Sequence, residues 1–207
     1  MIYSSTYFRV LIGGLLGGVL LTIFLARCTP IPVSAPATIV HEPLPTVTAP
    51  TCASGTWCYS EFIRPMVTDT MISADMSICS GYKTMSINQK RDAWVNLVRA
   101  ISYAESNWKF GSIYEEAFID SGTGKKALSV GMLQLSVGDR GNYKTPYCQK
   151  LTPDKLTDAE TNLGCGLEIM NVLISRNRDI YNLGKYWSVM RRDNRRHGAV
   201  LAKFKCQ

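Results

Sequence analysis

Histidine is scarce in this chain of 207 residues: His41 and His197 are the only two, and both lie far from any cysteine cluster. No two cysteines stand in a C-x-x-C spacing. A structural zinc site, which needs Cys or His ligands paired at short spacing, is therefore disfavoured, and neither a metal nor another cofactor is expected. Cys–His nucleophilic chemistry is disfavoured too, because His197 sits in a basic run. No internal repeat is visible, which excludes a solenoid. Helix-turn-helix, zinc-finger and RNP-like signatures are absent, so a nucleic-acid binder would rest on charge alone. Charged residues make up only 19% of the chain against 46% apolar, as in a folded domain and unlike a disordered one.

What charge there is lies unevenly. The net value is +7, and residues 176–207 alone carry +7, from nine Lys/Arg against Asp179 and Asp193. Residues 1–51 carry +1 and the middle −1. A basic end fits an anionic partner (a polymer, a membrane surface or nucleic acid), and equally a solvated, solubilising surface.

The N-terminal residues 1–28 read as a targeting segment. Arg9 precedes an uncharged stretch, Val10 to Ala26. As a helix it would span roughly 25 Å, slightly short of a bilayer core. The stretch ends in "LARC", which resembles a bacterial lipoprotein box with Cys28 as the lipidated residue. Leu25, Ala26 and Cys28 match, while Arg27 stands where the box has a small residue. Lipoprotein, uncleaved membrane anchor and cleaved signal peptide all stay open. Each puts the domain outside the cytoplasm: periplasmic or on the extracellular face, membrane-tethered or secreted.

Cysteine usage fits that compartment. Setting Cys28 aside leaves Cys52, Cys58, Cys79, Cys148, Cys165 and Cys206, an even number suited to three disulfides. Spacing does not dictate the pairing; Cys148–Cys165, closing a moderate loop, is favoured, with Cys206 tying down the C-terminal end. Residues 29–51 hold six prolines and no Lys or Arg. Such a linker prefers polyproline II and reaches roughly 70 Å. The folded unit is then 52–207.

That unit reads as mostly helical. "SINQKRDAWVNLVRAISYAES" carries Ala93, Trp94, Leu97, Val98, Ile101 and Ala104 as one stripe at helical spacing, with Ser86 or Asn88 as cap. A second helix is expected from Thr157 with Glu160 as a capping box, burying Leu163, Leu167, Met170 and Leu173/Ile174. Residues 109–131 read as loop with a short hairpin, "VGMLQLS" as strand or buried turn, and 52–87 as irregular chain wrapping the core.

Glu105 shares the buried face of the first helix, four residues after Ile101. A carboxyl at the rim of an apolar face loses hydration, which raises its pKa. An acid that keeps its proton near neutral pH suits glycosidic bond cleavage. On helix pattern alone, a helix-end cap or ion pair explains Glu105 as well.

Four segments in order add to this: "ESNW", "SVGMLQLS", "NLGCGLEIM" and "KYWSVMRR". Together they resemble the catalytic domain of lytic transglycosylases and the related goose-type lysozymes over about residues 90–190. Glu105-Ser106 matches the catalytic acid and its follower. Ser129, Gly131, Met132, Leu133 and Gln134 match the second block, with Met and Leu exchanged. Asn162, Leu163 and Gly164 approximate the third. Tyr186 stands near the family's Ala-Tyr-Asn segment, although here it lies in Lys-Tyr-Trp. The fold class the resemblance implies is mainly α, in the α+β lysozyme-like manner: helices around a glycan cleft with a small loop or hairpin lobe, stapled by disulfides.

The activity it implies is cleavage of the β-1,4 bond between N-acetylmuramic acid and N-acetylglucosamine in peptidoglycan. Glu105 acts alone as acid and then base, leaving 1,6-anhydromuramyl ends. An inverting hydrolase would need a second carboxylate roughly 6.5–9.5 Å away; Glu115, Glu116 and Asp120 are the candidates. Ser106, Trp108, Glu116, Ser129, Gly131, Met132, Gln134, Tyr143, Asn162 and Tyr186 are the candidate substrate-binding residues. Tyr103, Tyr114, Tyr147 and Trp187 add aromatic surface that can stack on sugar rings, with Trp187, Val189 and Met190 assigned to the core. Expected partners are peptidoglycan strands and, through the N-terminal segment, a membrane; nucleic acid is not expected, and a monomer is. The alternatives are a muramidase with a second carboxylate and a non-catalytic wall-binding module.

Overall fold

A computed structural model describes residues 48–119 and 124–206, which belong to the C-terminal of the two units into which the chain divides, His41–Gln207. The targeting segment with Cys28, most of the Pro-rich linker, and Asp120 lie outside the described residues. The elements run α1 (Ser60–Ile63), α2 (Asp69–Ile72), α3 (Ile87–Ser106), β1 (Ile113–Ile119), β2 (Lys126–Val130), α4 (Asp139–Asn142), α5 (Ala159–Asn177) and α6 (His197–Lys203). Short 3₁₀ segments punctuate the rest. The class is α+β, about half helical with one small antiparallel sheet.

α3 starts where a capping box closes. Ser86 Oγ accepts from Gln89 N–H, and Gln89 Oε1 accepts from Ser86 N–H. Two orphan donors of the helix start are thereby satisfied. Its stripe of Ala93, Trp94, Leu97, Val98 and Ile101 is fully buried. Trp94 Nε1 donates to the Met71 carbonyl at 2.7 Å, and Tyr82 donates to the Ile72 carbonyl at 2.9 Å. Residues 52–87 therefore do more than wrap: Phe62, Ile63, Met66 and Met71 of the short helices complete the core under α3.

α5 is not capped as its sequence suggests. Its N-cap is Asp158, whose Oδ2 accepts from Thr161 N–H at 3.0 Å. Thr157 donates to the Asp154 carbonyl instead, and Glu160 accepts from Ala49 N–H. Asp158, a stronger acceptor one residue later, satisfies one of the free N–H groups of the first turn and shifts the start. Every residue from Thr161 to Met170 is buried, so α5 is the central helix rather than a one-sided one. A Cβ on Gly166 would lie 2.2 Å from Leu133 Cδ1, so the Leu133 side chain of the 131–134 turn packs directly on the backbone of this helix.

β1 and β2 pair antiparallel, with Ile113 opposite Val130 and Tyr114 opposite Ser129, and an irregularity between Glu115 and Ile119. They pair with no third strand among the described residues. The disulfides are Cys52–Cys58, Cys79–Cys206 and Cys148–Cys165. Buried Glu168 steadies the last of these by accepting from Tyr147 and Cys148 N–H at 2.9 and 3.0 Å. No helix among the described residues is long and apolar enough to cross a membrane.

Candidate active site

Glu105 occupies the last turn of α3. The chain leaves that helix through Asn107 and Trp108, both left-handed at φ 53° and 60°. Two adjacent non-glycine residues in this region are strained, at about 1–3 kcal/mol each. Trp108 supplies compensation: its Nε1 donates to the Arg99 carbonyl at 2.9 Å, its ring lies under the Arg99 guanidinium, and Tyr103 packs edge-on against it. That anchoring turns Trp108 onto α3, and it does not line the cleft. Tyr103 faces the same way, with Lys203 over its ring.

The turn after β2 is fastened to the end of α3 and to α5. Ser106 Oγ lies 3.0 Å from the carbonyls of both Ser102 and Met132 and shares its proton between them. Asn162 is fully buried: its Nδ2 donates to the Val130 and Leu156 carbonyls, and its Oδ1 accepts from Leu133 N–H. Gly131 has φ 83°, and a Cβ there would lie 2.4 Å from Asn162 Nδ2 and 2.5 Å from the Leu156 oxygen. Met132 is fully buried. Ser106, Gly131, Met132 and Asn162 thus form the frame behind the site and present nothing to its cavity.

That cavity is an open cleft of about 1720 Å³. Small-molecule pockets run to roughly 1,000 Å³, so this one has room for a polymer segment. Glu105, Glu116, Ser129, Gln134 and Tyr186 line it. Gln134, itself left-handed at φ 51°, is held by donating from Nε2 to the Gly131 carbonyl at 2.7 Å. Glu115 and Glu116 point to opposite faces of β1, as strand geometry requires. Glu115 pairs with Lys126 at 2.6 Å, while Glu116 accepts from Ser129 Oγ at 2.5 Å in the cleft. Tyr186 donates to Asp139, which also accepts from Ser136 N–H at 2.8 Å. Burial and the adjoining carboxylate push the Tyr186 phenol well above its usual range. Tyr143 is a layer back, its ring 6.3 Å from that of Tyr186. Tyr147 is core, and Tyr114 lines the cleft.

The Glu105 side chain is 9% exposed. Burial pushes its pKa up to about 7, against the pull of Arg196, with Glu116 adding to the rise. Arg196 Nη2 stands 3.7 Å from Glu105 Oε2. The carboxyl therefore changes protonation state near neutral pH while facing a large cavity, which equips it for general acid–base work. Asp139, Arg196 and the apolar lining residues Ile113 and Phe118 were not singled out by sequence. Arg196 was hidden in a basic run, and no periodicity marks Asp139. Among the described residues, no group of three His, Cys, Asp or Glu is placed to hold a metal ion.

No family model matches the chain, and no curated protein sequence does. Solved structures of DslA, from Bdellovibrio, do match in shape: the wild type in its second form and two Glu-to-Gln mutants. Each gives a TM-score of 0.61 over 70% of this chain and 86% of the DslA chain, at 22–23% identity. The relationship is distant and shows a shared fold alone.

Proposed function

We propose that this domain cleaves peptidoglycan glycan strands at the bond between N-acetylmuramic acid and N-acetylglucosamine, as a lytic transglycosylase. The observation that carries the reading is Glu105: a nearly buried carboxyl with a pKa of about 7, in a cleft large enough for a sugar polymer. In the proposed reaction, protonated Glu105 gives its proton to the glycosidic oxygen as the bond from that oxygen to the muramoyl C1 breaks. The muramoyl 6-hydroxyl oxygen then bonds to C1, and its proton returns to Glu105. One carboxylate suffices, and the products end in 1,6-anhydromuramic acid.

A second reading is favoured by a specific observation. Glu116 shares the cleft and acts electrostatically on Glu105. The two mutated glutamates of DslA lie eleven positions apart, as do Glu105 and Glu116. With Glu116 activating a water, the domain would be a muramidase. Mass spectrometry of digested muropeptides separates the two: anhydro ends support the transglycosylase, reducing muramic ends the hydrolase. Zymography tests the parent claim, since clearing retained by Glu105→Gln, or no clearing by the wild type, would leave a binding module instead. The same proposal puts the domain outside the cytoplasm, on the tether that residues 1–51 suggest.

A further inference from the structure

The chain from the 3₁₀ turn Ile180–Lys185 to α6 treats its cations unequally. Arg192 stacks over Tyr181 at 3.9 Å, and Arg196 is engaged with Glu105 and the Ala104 carbonyl. Lys185, Arg191 and Arg195 all line the cleft, all are exposed, and none forms an ion pair among the described residues. Asp193 is the one acid on this edge, while Glu116 and Asp139 are occupied by Ser129, Ser136 and Tyr186. Arg191 is placed rather than loose: its Cγ would lie 2.8 Å from a Cβ on Gly184, so its stem lies over that glycine. Solubilising charge has no reason to gather inside a cleft.

We infer that Lys185, Arg191 and Arg195 form a cationic edge that binds carboxylates carried as side groups along the glycan strand, namely those of its short peptides. This rests on the proposed function for the identity of the polymer. The chemistry fits: guanidinium groups take carboxylates in a planar, two-point fashion, and lysine adds a point charge. The hairpin gives the same cleft the opposite character through Tyr114 and Phe118, each 62% exposed. Sugar faces have an aromatic surface to lie on, and acidic substituents have cations. Exposed pairs are individually weak, so the edge works by repetition, as a polymer bearing many carboxylates allows.

The test measures binding by the full chain carrying Glu105→Gln, so that turnover does not interfere. The ligands are soluble glycan strands bearing their peptides and the same strands stripped by an amidase, with the lactyl carboxylates that this hydrolysis leaves capped as methyl amides. The expected result is roughly five- to twentyfold tighter binding of the peptide-bearing strands, weakening as salt rises. Adding Lys185→Gln, Arg191→Gln and Arg195→Gln removes that preference, while Arg191→Lys with Arg195→Lys keeps most of it. Equal affinity for the two ligands, or a preference that survives the triple change in a protein with an unaltered melting curve, overturns the inference. The wild type's cleavage of stripped strands reads the parent proposal separately. Cleavage without peptide preference in binding overturns the edge alone, and peptide-dependent binding without any cleavage overturns only the assigned activity.

Discussion

Arg196 holds the end of α3 with both arms of its guanidinium. Nη1 donates to the Ala104 carbonyl at 3.1 Å, and Nη2 stands 3.7 Å from Glu105 Oε2. It is the cation that opposes the effect of burial on that carboxyl. Arg196→Gln should therefore raise the Glu105 pKa above about 7. An acid with a higher pKa stays protonated further into alkaline solution, so the alkaline limb of the kcat/KM–pH profile moves up. A limb that stays in place or moves down would show that the guanidinium does not govern the acid.

Stability should carry the same signature with a definite sign. The folded pKa of Glu105, about 7, lies above the ordinary value of 4.5. Between those values the folded state holds a proton that the unfolded state releases, so this stabilising contribution is whole below pH 4.5 and is lost as pH rises through about 7. Glu105→Gln removes the dependence. Its stability should exceed the wild type's by on the order of 2–3 kcal/mol at pH 8 and by little at pH 4. Urea denaturation at the two pH values checks this; a gain independent of pH contradicts it.

Glu116→Gln distinguishes one carboxylate from two. Glu116 raises the Glu105 pKa, so its neutralisation should move the alkaline limb down. If Glu105 works alone, anhydro ends persist in the muropeptides. Loss of turnover by a hundredfold or more, with reducing ends in the wild-type digest, would give Glu116 the base's role.

The Cys79–Cys206 bridge spans 127 residues. Loops of that size restrict the unfolded chain most, and replacing both cysteines by serine should cost about 2–5 kcal/mol. Thermal melting of the double variant, compared with one lacking Cys52–Cys58 and its six-residue separation, should show the larger loss for the long loop.

Asn162→Ala leaves Leu133 N–H and the Leu156 carbonyl without their buried partner, and the Val130 carbonyl with Leu135 N–H alone. The expected cost is about 2–4 kcal/mol, together with lower activity, because the frame behind Gln134 loosens. Asn162→Asp restores the acceptor for Leu133 N–H but not the donors, and should recover only part of the stability. Full recovery would show that the donated bonds carry little.

Much of this was legible in sequence because it is local. The α3 stripe and its Ser86 cap depend on neighbours a few residues apart, and the Cys148–Cys165 loop on a separation of 17. The hairpin too lies where 109–131 suggested it. The α5 start was missed because Thr157/Glu160 satisfies a pattern that Asp158 satisfies better in space. Trp108 was misplaced for a similar reason: its left-handed backbone, which no composition announces, decides which way its ring points. The resemblance motifs located Ser106, Gly131 and Asn162 but not their work, which is to brace one another rather than to line the cavity. Arg196 and Asp139 come from distant parts of the chain, and only folding brings them to the cleft.

The hairpin is a cantilever. Beyond their mutual pairing, its strands are fixed where β2 ends, through the Val130–Leu135 bridge, the bond from Gly131 N–H to Ser112, and Asn162 on Val130. Glu105 sits on a stiff helix, and Glu116 sits out along the arm. The stiffness of their separation is therefore set at the root of the arm. A residue that does not line the cleft, Asn162, governs how firmly the two carboxylates are held in step.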